Sequence, residues 1–318
     1  MEFFKRNLPW IVSFVLALCI VGGYRIFLSP PSDFPSGSIV LIAQGTSASF
    51  VAKELANAHV IASPMLLEFI VRVTGKSDSI QSGAYRFQTP QNLFRVAYRI
   101  IVGEFGLPLS RVTFVEGVTV REAAALVSET FPSIAAADFL KAGKSYEGYL
   151  FPDTYFFPLT ADIESIQSAM RENFNAKIER VSGDIRMSGH SLSDVVTMAS
   201  LVEREARTVV DKRIIAGILW NRLEQNMPLQ VDAVFGYIYG RDTYSPSLAD
   251  LKVDSPYNTY THTGLPPGPI CNPGLESIEA VLQPTKTDYF YYLTGKNGVM
   301  YYATTYAEHQ INRRKYLD

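Results

Sequence analysis

Two glutamates at the end of an apolar stretch are the residues best placed to do chemistry. The run Ser191 to Ala206, SLSDVVTMASLVEREA, opens on a serine that can cap a helix and continues through Leu192, Val195, Val196, Met198, Ala199, Leu201 and Val202. That is too apolar for a surface stripe, so the helix is expected to be buried on most sides. Glu203 and Glu205 close it. A carboxylate on a core helix is costly unless it is paired or used. Two residues apart, at roughly 3.6 residues per turn, means about 200° of rotation. The two side chains therefore point to nearly opposite sides, and at most one is expected in a given cleft. Spacing alone does not say which. The bland alternative is a helix end that reaches solvent and pairs through Arg204 and Arg207.

Other chemistries find little support. The four histidines, His59, His190, His262 and His309, are scattered, no HExxH occurs, and no metal is expected. G-x-S-x-G and GxxxxGK[ST] are both missing. Cys19 and Cys271 lie far apart in unlike surroundings, so neither a disulfide nor a metal spacing is expected. A net charge of −2 gives no reason to expect nucleic acid. With 19 Phe, 18 Tyr and only 2 Trp, the aromatic content is compatible with a sugar cleft or with ordinary core packing. Carboxylate chemistry on a neutral polymer remains. Ordinary glycosidases need two carboxyl groups, but one suffices if the substrate supplies the nucleophile.

The elements around this helix follow in chain order. Residues 1–7 carry Lys5 and Arg6, and 8–28 are almost uncharged. About 17–21 helical residues at about 1.5 Å each cover most of a roughly 30 Å hydrocarbon core. The expectation is an uncleaved single-pass transmembrane helix in the cytoplasmic (inner) membrane, with a cytoplasmic N-terminus and an exported, periplasmic body. Residues 29–38, SPPSDFPSGS, read as an extended linker. Residues 39–105 read as β-α-α-β: a strand at Ile39–Ile42, helices over Ala48–Asn57 and Pro64–Thr74, a strand at Gly83–Phe87, then a helix from Asn92 to Val102. This order resembles a LysM-type module, and a spacer role is the alternative.

Residues 106–190 read as a connecting α/β segment of the catalytic domain, with a helix over Glu164–Asn175 and a polar loop over Val181–His190. Within it SYEGYLFPDTYFF, residues 145–157, is dense in aromatics and carries Glu147 and Asp153. It is expected either to form one wall of an aromatic cleft or to pack as a hydrophobic loop. Residues 191–318 read as the catalytic domain. A helix over Asp211–Leu223 is followed by Gln230-Val231-Asp232, Tyr257-Asn258-Thr259-Tyr260, a Gly264–Gly268 turn and Asn272-Pro273-Gly274. Long ordered loops of such polar residues are usually functional. Gly295-Lys296-Asn297-Gly298 signals a hairpin, and Thr305–Tyr316 a closing helix.

The ordered motifs MASLVERE (198–205), NRL (221–223), MPLQVD (227–232), YNTY (257–260), GLPPGPI (264–270) and NPG (272–274), with EGYLFPDTY (147–155) upstream, resemble the YceG-like endolytic murein transglycosylases. The resemblance covers essentially the whole chain. Arg204 stands where Lys is frequent in that family, and Trp220 where Phe or Tyr is usual. The resemblance implies an α+β fold: an N-terminal transmembrane helix, a small LysM-like βααβ domain and a mixed α/β catalytic domain with long loops. It implies that Glu205 is catalytic. It implies non-hydrolytic cleavage of the β-1,4 bond between N-acetylmuramic acid and N-acetylglucosamine in nascent peptidoglycan strands, with no cofactor. Gln230, Asp232, Tyr257, Asn258, Tyr260 and Glu147 are expected to bind substrate or orient Glu205, with loop-internal hydrogen bonding the alternative. Two rival readings stand beside it: a muramidase using water with Asp232 or Asp153 as second carboxylate, and a non-enzymatic wall-binding scaffold. An anchored enzyme would sit near the synthetic penicillin-binding proteins.

Overall fold

The computed structural model of the chain describes residues 10, 14–18, 21–43, 45–75, 80–241 and 245–317. It divides into two compact units, Met1–Ser110 with Pro158–Ala161, and Arg111–Phe157 with Asp162–Asp318.

The expected transmembrane helix is not supported. Among the described residues no helix is long and apolar enough to cross a membrane. A helical span needs about 20 contiguous apolar residues, whereas the described backbone leaves the α-helical pattern for a π-helical turn at Tyr24–Leu28. Residues 1–9, 11–13 and 19–20 of the predicted segment lie outside the described residues. The single-pass inner-membrane placement falls with the helix, and so does the argument that made penicillin-binding proteins its neighbours.

In the first unit β1 (Ser38–Ile42) pairs antiparallel with β2 (Gly83–Phe87), Ser38 opposite Phe87 and Ile42 opposite Gly83. Between them lie α1 (Ala48–Asn57) and α2 (Pro64–Val73), capped by the side chains of Ser47 and Ser63. These hydroxyls accept from the amides of Phe50 and Leu66, satisfying donors that a first turn leaves unpaired. Beyond β2 comes α3 (Leu93–Val102). Leu55, Val60, Tyr85, Phe87, Val96 and Ile100 fill the core.

The second unit is mainly helical. β3 (Leu109–Thr113) and β4 (Thr154–Pro158), which belong to this unit from Arg111 onward and up to Phe157, form a two-stranded sheet. Between them are α4 (Val120–Thr130), opened by a Thr119/Glu122 capping box, and α5 (Ala136–Gly143). α6 (Ile163–Ser188) is one helix of 26 residues, so the polar loop expected over Val181–His190 is helical for most of its length. Ile166, Met170, Phe174, Ile178, Val181 and Ile185 keep a three-to-four spacing along its whole length, and the polar residues between them hid the stripe. It stops at Gly189, which takes a left-handed φ of 75°.

α7 (Leu192–Glu205) is the predicted central helix, capped by Ser191. Every residue from Val195 to Val202 is buried. α8 (Val209–Glu224) and α10 (Leu275–Leu282) pack against it, with Met198, Leu201, Ile215, Leu219, Phe235 and Ile278 in a shared core. A seven-residue helix, α9 (Ala233–Tyr239), follows directly on the QVD motif. β5 (Tyr291–Thr294) and β6 (Met300–Ala303) make the hairpin signalled by Asn-Gly, and α11 (Tyr306–Tyr316) ends the chain.

Candidate active site

The last turn of α7 sends its two glutamates to different environments. Glu203 turns inward. Lys212 of α8 lies 2.9 Å from its Oε1, and both side chains are almost fully buried, at 7% and 3% exposure. Its Oε2 accepts from the Gly274 amide at 2.9 Å and from the Ser277 hydroxyl at 2.7 Å. Both oxygens of this carboxylate are therefore engaged, which is what makes its burial tolerable. Glu203 fastens α7 to α8 and to the start of α10.

Glu205 opens instead into a cavity of about 480 Å³. Arg222 of α8, Asp232 ahead of α9, Tyr260 of the YNTY loop, Tyr292 of β5 and His309 of α11 line the same space, as does Gln230. Tyr292 donates its hydroxyl to Glu205 Oε2 at 3.0 Å. Burial pushes the Glu205 carboxyl up to about 7, and the negative charge of Asp232 pushes the same way. The hydrogen bonds from Tyr292 and from the Ala233 amide, together with the Arg222 charge, oppose that rise. A carboxyl balanced there can be an acid in one step and a base in the next near neutral pH.

Its surroundings are held in place from several directions. Arg222 is buried, and its guanidinium donates to the carbonyls of Phe290 at 2.7 Å and Leu229 at 2.6 Å, so it locks the QVD segment to the strand region. Asp232 accepts from the Tyr260 hydroxyl at 2.5 Å. Gln230 sits in left-handed backbone, φ 51°, where its amide donates to the Thr259 carbonyl at 3.1 Å. Thr259 in turn receives the Val231 amide on its hydroxyl. The LQVD and YNTY motifs are thus one interlocked pair of loops.

The remaining predicted residues go elsewhere. Asn258 is fully buried, donating to the carbonyls of Leu251 and Val253 and accepting the Tyr260 amide. Its bonds are internal to the loop. Tyr257 and Glu147 line a second cavity. Glu147 accepts the Val120 amide at 3.0 Å, at the start of α4, and the Asn272 side-chain amide at 3.3 Å. Burial lifts its carboxyl to about 7, against the pull of the Val120 hydrogen bond. Asp153, the other second-carboxylate candidate, accepts from Asn173 at 3.0 Å and does not line the Glu205 cavity.

Sequence reasoning missed Tyr292, Arg222, His309 and Arg313 as cavity residues. Arg222 was within reach, since it lies in the NRL motif. Tyr292 is one of 18 tyrosines and stands 87 residues from Glu205, with no local signal to single it out.

A largely helical α/β unit with one partly buried, proton-poised carboxyl in a polar cavity defines the class to which this protein belongs. The chain is a member of the YceG-like family, which it matches over residues 40–315. It is 34% identical, over 94% of its length and 91% of the relative's, to a Bacillus subtilis protein named endolytic murein transglycosylase. A Streptococcus pneumoniae protein of the same name is 27% identical over 97% of this chain, which spans 65% of that longer relative. The fold also resembles a crystal structure of a yceG-like protein from Listeria monocytogenes, with a TM-score of 0.60 and 29% identity over 87% of this chain and 99% of that one.

Proposed function

We propose that this chain is an endolytic lytic transglycosylase of peptidoglycan, cutting the β-1,4 bond between N-acetylmuramic acid and N-acetylglucosamine. Two relatives bear the name endolytic murein transglycosylase. The observation that carries the mechanism is the Glu205 carboxyl, lifted to about 7 by burial and held by the Tyr292 hydroxyl inside an open cavity. Protonated Glu205 gives its proton to the leaving glycosidic oxygen. The resulting carboxylate takes the proton of the muramic C6 hydroxyl as that oxygen bonds to C1, leaving a 1,6-anhydro end and regenerating the acid. The substrate's own alcohol is the nucleophile, so no second carboxylate is needed. Tyr292 holds the carboxyl in place, and Arg222 fixes the cavity wall.

A hydrolytic muramidase is the second reading, favoured by one observation: Asp232 lines the same cavity as Glu205. Digestion of purified murein with the wild-type chain and Glu205→Gln, read by mass, separates the two. Anhydro ends from the wild type alone are the expected result. Reducing ends, heavier by one water, would overturn the transglycosylase reading. Uncut strands in both would favour a binding scaffold. The βααβ unit, with its own cavity of about 520 Å³ beside Ser47 and Arg72, is read as the part that holds the strand.

A further inference from the structure

The second cavity, about 500 Å³, lies in the same unit and is tied to the Glu205 cavity by two elements. Asp232, just ahead of α9, lies in the first cavity, and Gly236 to Ile238 of α9 lie in the second. Seven residues at about 1.5 Å put the helix ends about 10 Å apart. The YNTY loop repeats the link, with Tyr260 in the first cavity and Tyr257 in the second.

The lining differs from that around Glu205. Tyr237 and Tyr257 pack at a ring separation of 5.0 Å with their hydroxyls hydrogen-bonded, and Leu140 and Ile238 add apolar wall. Arg121, Lys144 and Arg241 are exposed and basic at the edge. Arg121 lies against the backbone at Gly240, whose φ is 65°; a Cβ there would stand 3.0 Å from the guanidinium Nε. The two acids present are engaged inward. Glu122 closes the Thr119 cap and faces Arg204 at 3.6 Å, and Glu147 binds the Val120 amide. What is left to meet a ligand is an apolar, aromatic pocket with a basic edge.

Resting on the activity proposed above, we infer that this cavity receives the acidic peptide stem carried by a muramic residue at or next to the cut bond. A neutral sugar would gain little from the cationic edge that Arg121 and Lys144 supply, whereas a stem carries carboxylates beside small apolar side chains. Three extended residues reach about 10 Å, about the length of the helix that links the two cavities.

The test uses the full chain and a double variant, Arg121→Ala with Lys144→Ala, both exposed positions outside the Glu205 cavity. The N-acetylated pentapeptide N-acetyl-L-Ala-γ-D-Glu-L-Lys-D-Ala-D-Ala, whose blocked N-terminus leaves it net anionic as in a strand, is titrated into each, with the ring signals of Tyr237 and Tyr257 followed by NMR. The expected result is movement of both rings in the wild type and binding about fivefold weaker in the variant, the loss of two rim charges. Unmoved rings, or equal affinity in both proteins, would overturn the inference. A second arm compares kcat/KM on stem-bearing strands and on strands stripped by an amidase. The variant's ratio of the two is expected to fall by the same factor, and a ratio equal to the wild type's counts against a stem site whatever the active fraction. If the wild type cuts neither substrate, the activity proposed above fails while the titration still decides the stem site.

Discussion

Glu203 and Glu205 leave the same helical turn and meet opposite fates. Glu203 has a buried lysine, an amide and a hydroxyl around it. Glu205 has the Tyr292 hydroxyl and the Ala233 amide beside an open cavity, and its carboxyl sits near 7. One side of α7 spends a carboxylate on cohesion, and the other keeps a proton available. The difference lies in the close ion pair: Glu203 has an ammonium against it, whereas at Glu205 burial and the Asp232 charge outweigh the bonds from Tyr292 and Ala233 and the Arg222 charge.

The contrast can be broken from either side. Glu205→Gln is expected to lower strand cleavage by about 10²–10⁴-fold, the usual worth of general acid–base help, with the circular dichroism spectrum unchanged. Glu203→Ala is expected to act on stability, costing about 3–5 kcal/mol in urea unfolding, because it strands the Lys212 ammonium in the interior. Adding Lys212→Met to Glu203→Met is expected to recover much of that loss, since no unpaired charge then remains. Failure to recover would mean that the bonds to Gly274 and Ser277 matter more than the ion pair.

Smaller effects sharpen the role of Glu205. If protonated Glu205 is the acid, kcat/KM falls as pH rises through about 7. The Tyr292 hydrogen bond favours the charged form, so Tyr292→Phe is expected to move that limb to higher pH; Asp232→Asn, which removes a nearby negative charge, is expected to move it lower. A limb unmoved by both would assign the titration to another group. The same shift has a sign in stability. A carboxyl whose folded pKa lies above its unfolded value near 4.5 favours the folded state fully below 4.5, and that advantage is lost as pH climbs toward 7. Glu205→Gln is therefore expected to raise the melting temperature relative to wild type more at pH 8 than at pH 4.5, measured by calorimetry.

Much of the frame was legible locally. Capping serines, the Asn-Gly hairpin and the apolar run of α7 are written in neighbouring residues, and each element forms where those signals put it. The rotation between Glu203 and Glu205 was readable too, because helix geometry depends on nothing outside the helix. α6 was cut short because its stripe is thin among polar residues. The spanning helix expected over residues 8–28 came from an almost uncharged run, its basic flank and the family resemblance, and the described backbone there supplies no helix long enough.

The sequence by itself determined that one glutamate of the pair would face away from the other, and its motif order pointed to the family. Which glutamate would be neutralised by a buried lysine, and which would keep its proton, only the tertiary structure decided. Lys212, Gly274 and Ser277 reach Glu203, and Tyr292 reaches Glu205, across 9 to 87 positions of chain. The proton affinity of a carboxyl depends on the charges, donors and water within a few ångströms of it. Those neighbours are assembled by the packing of α7 against α8, α10 and the β5–β6 hairpin, and no local pattern encodes it.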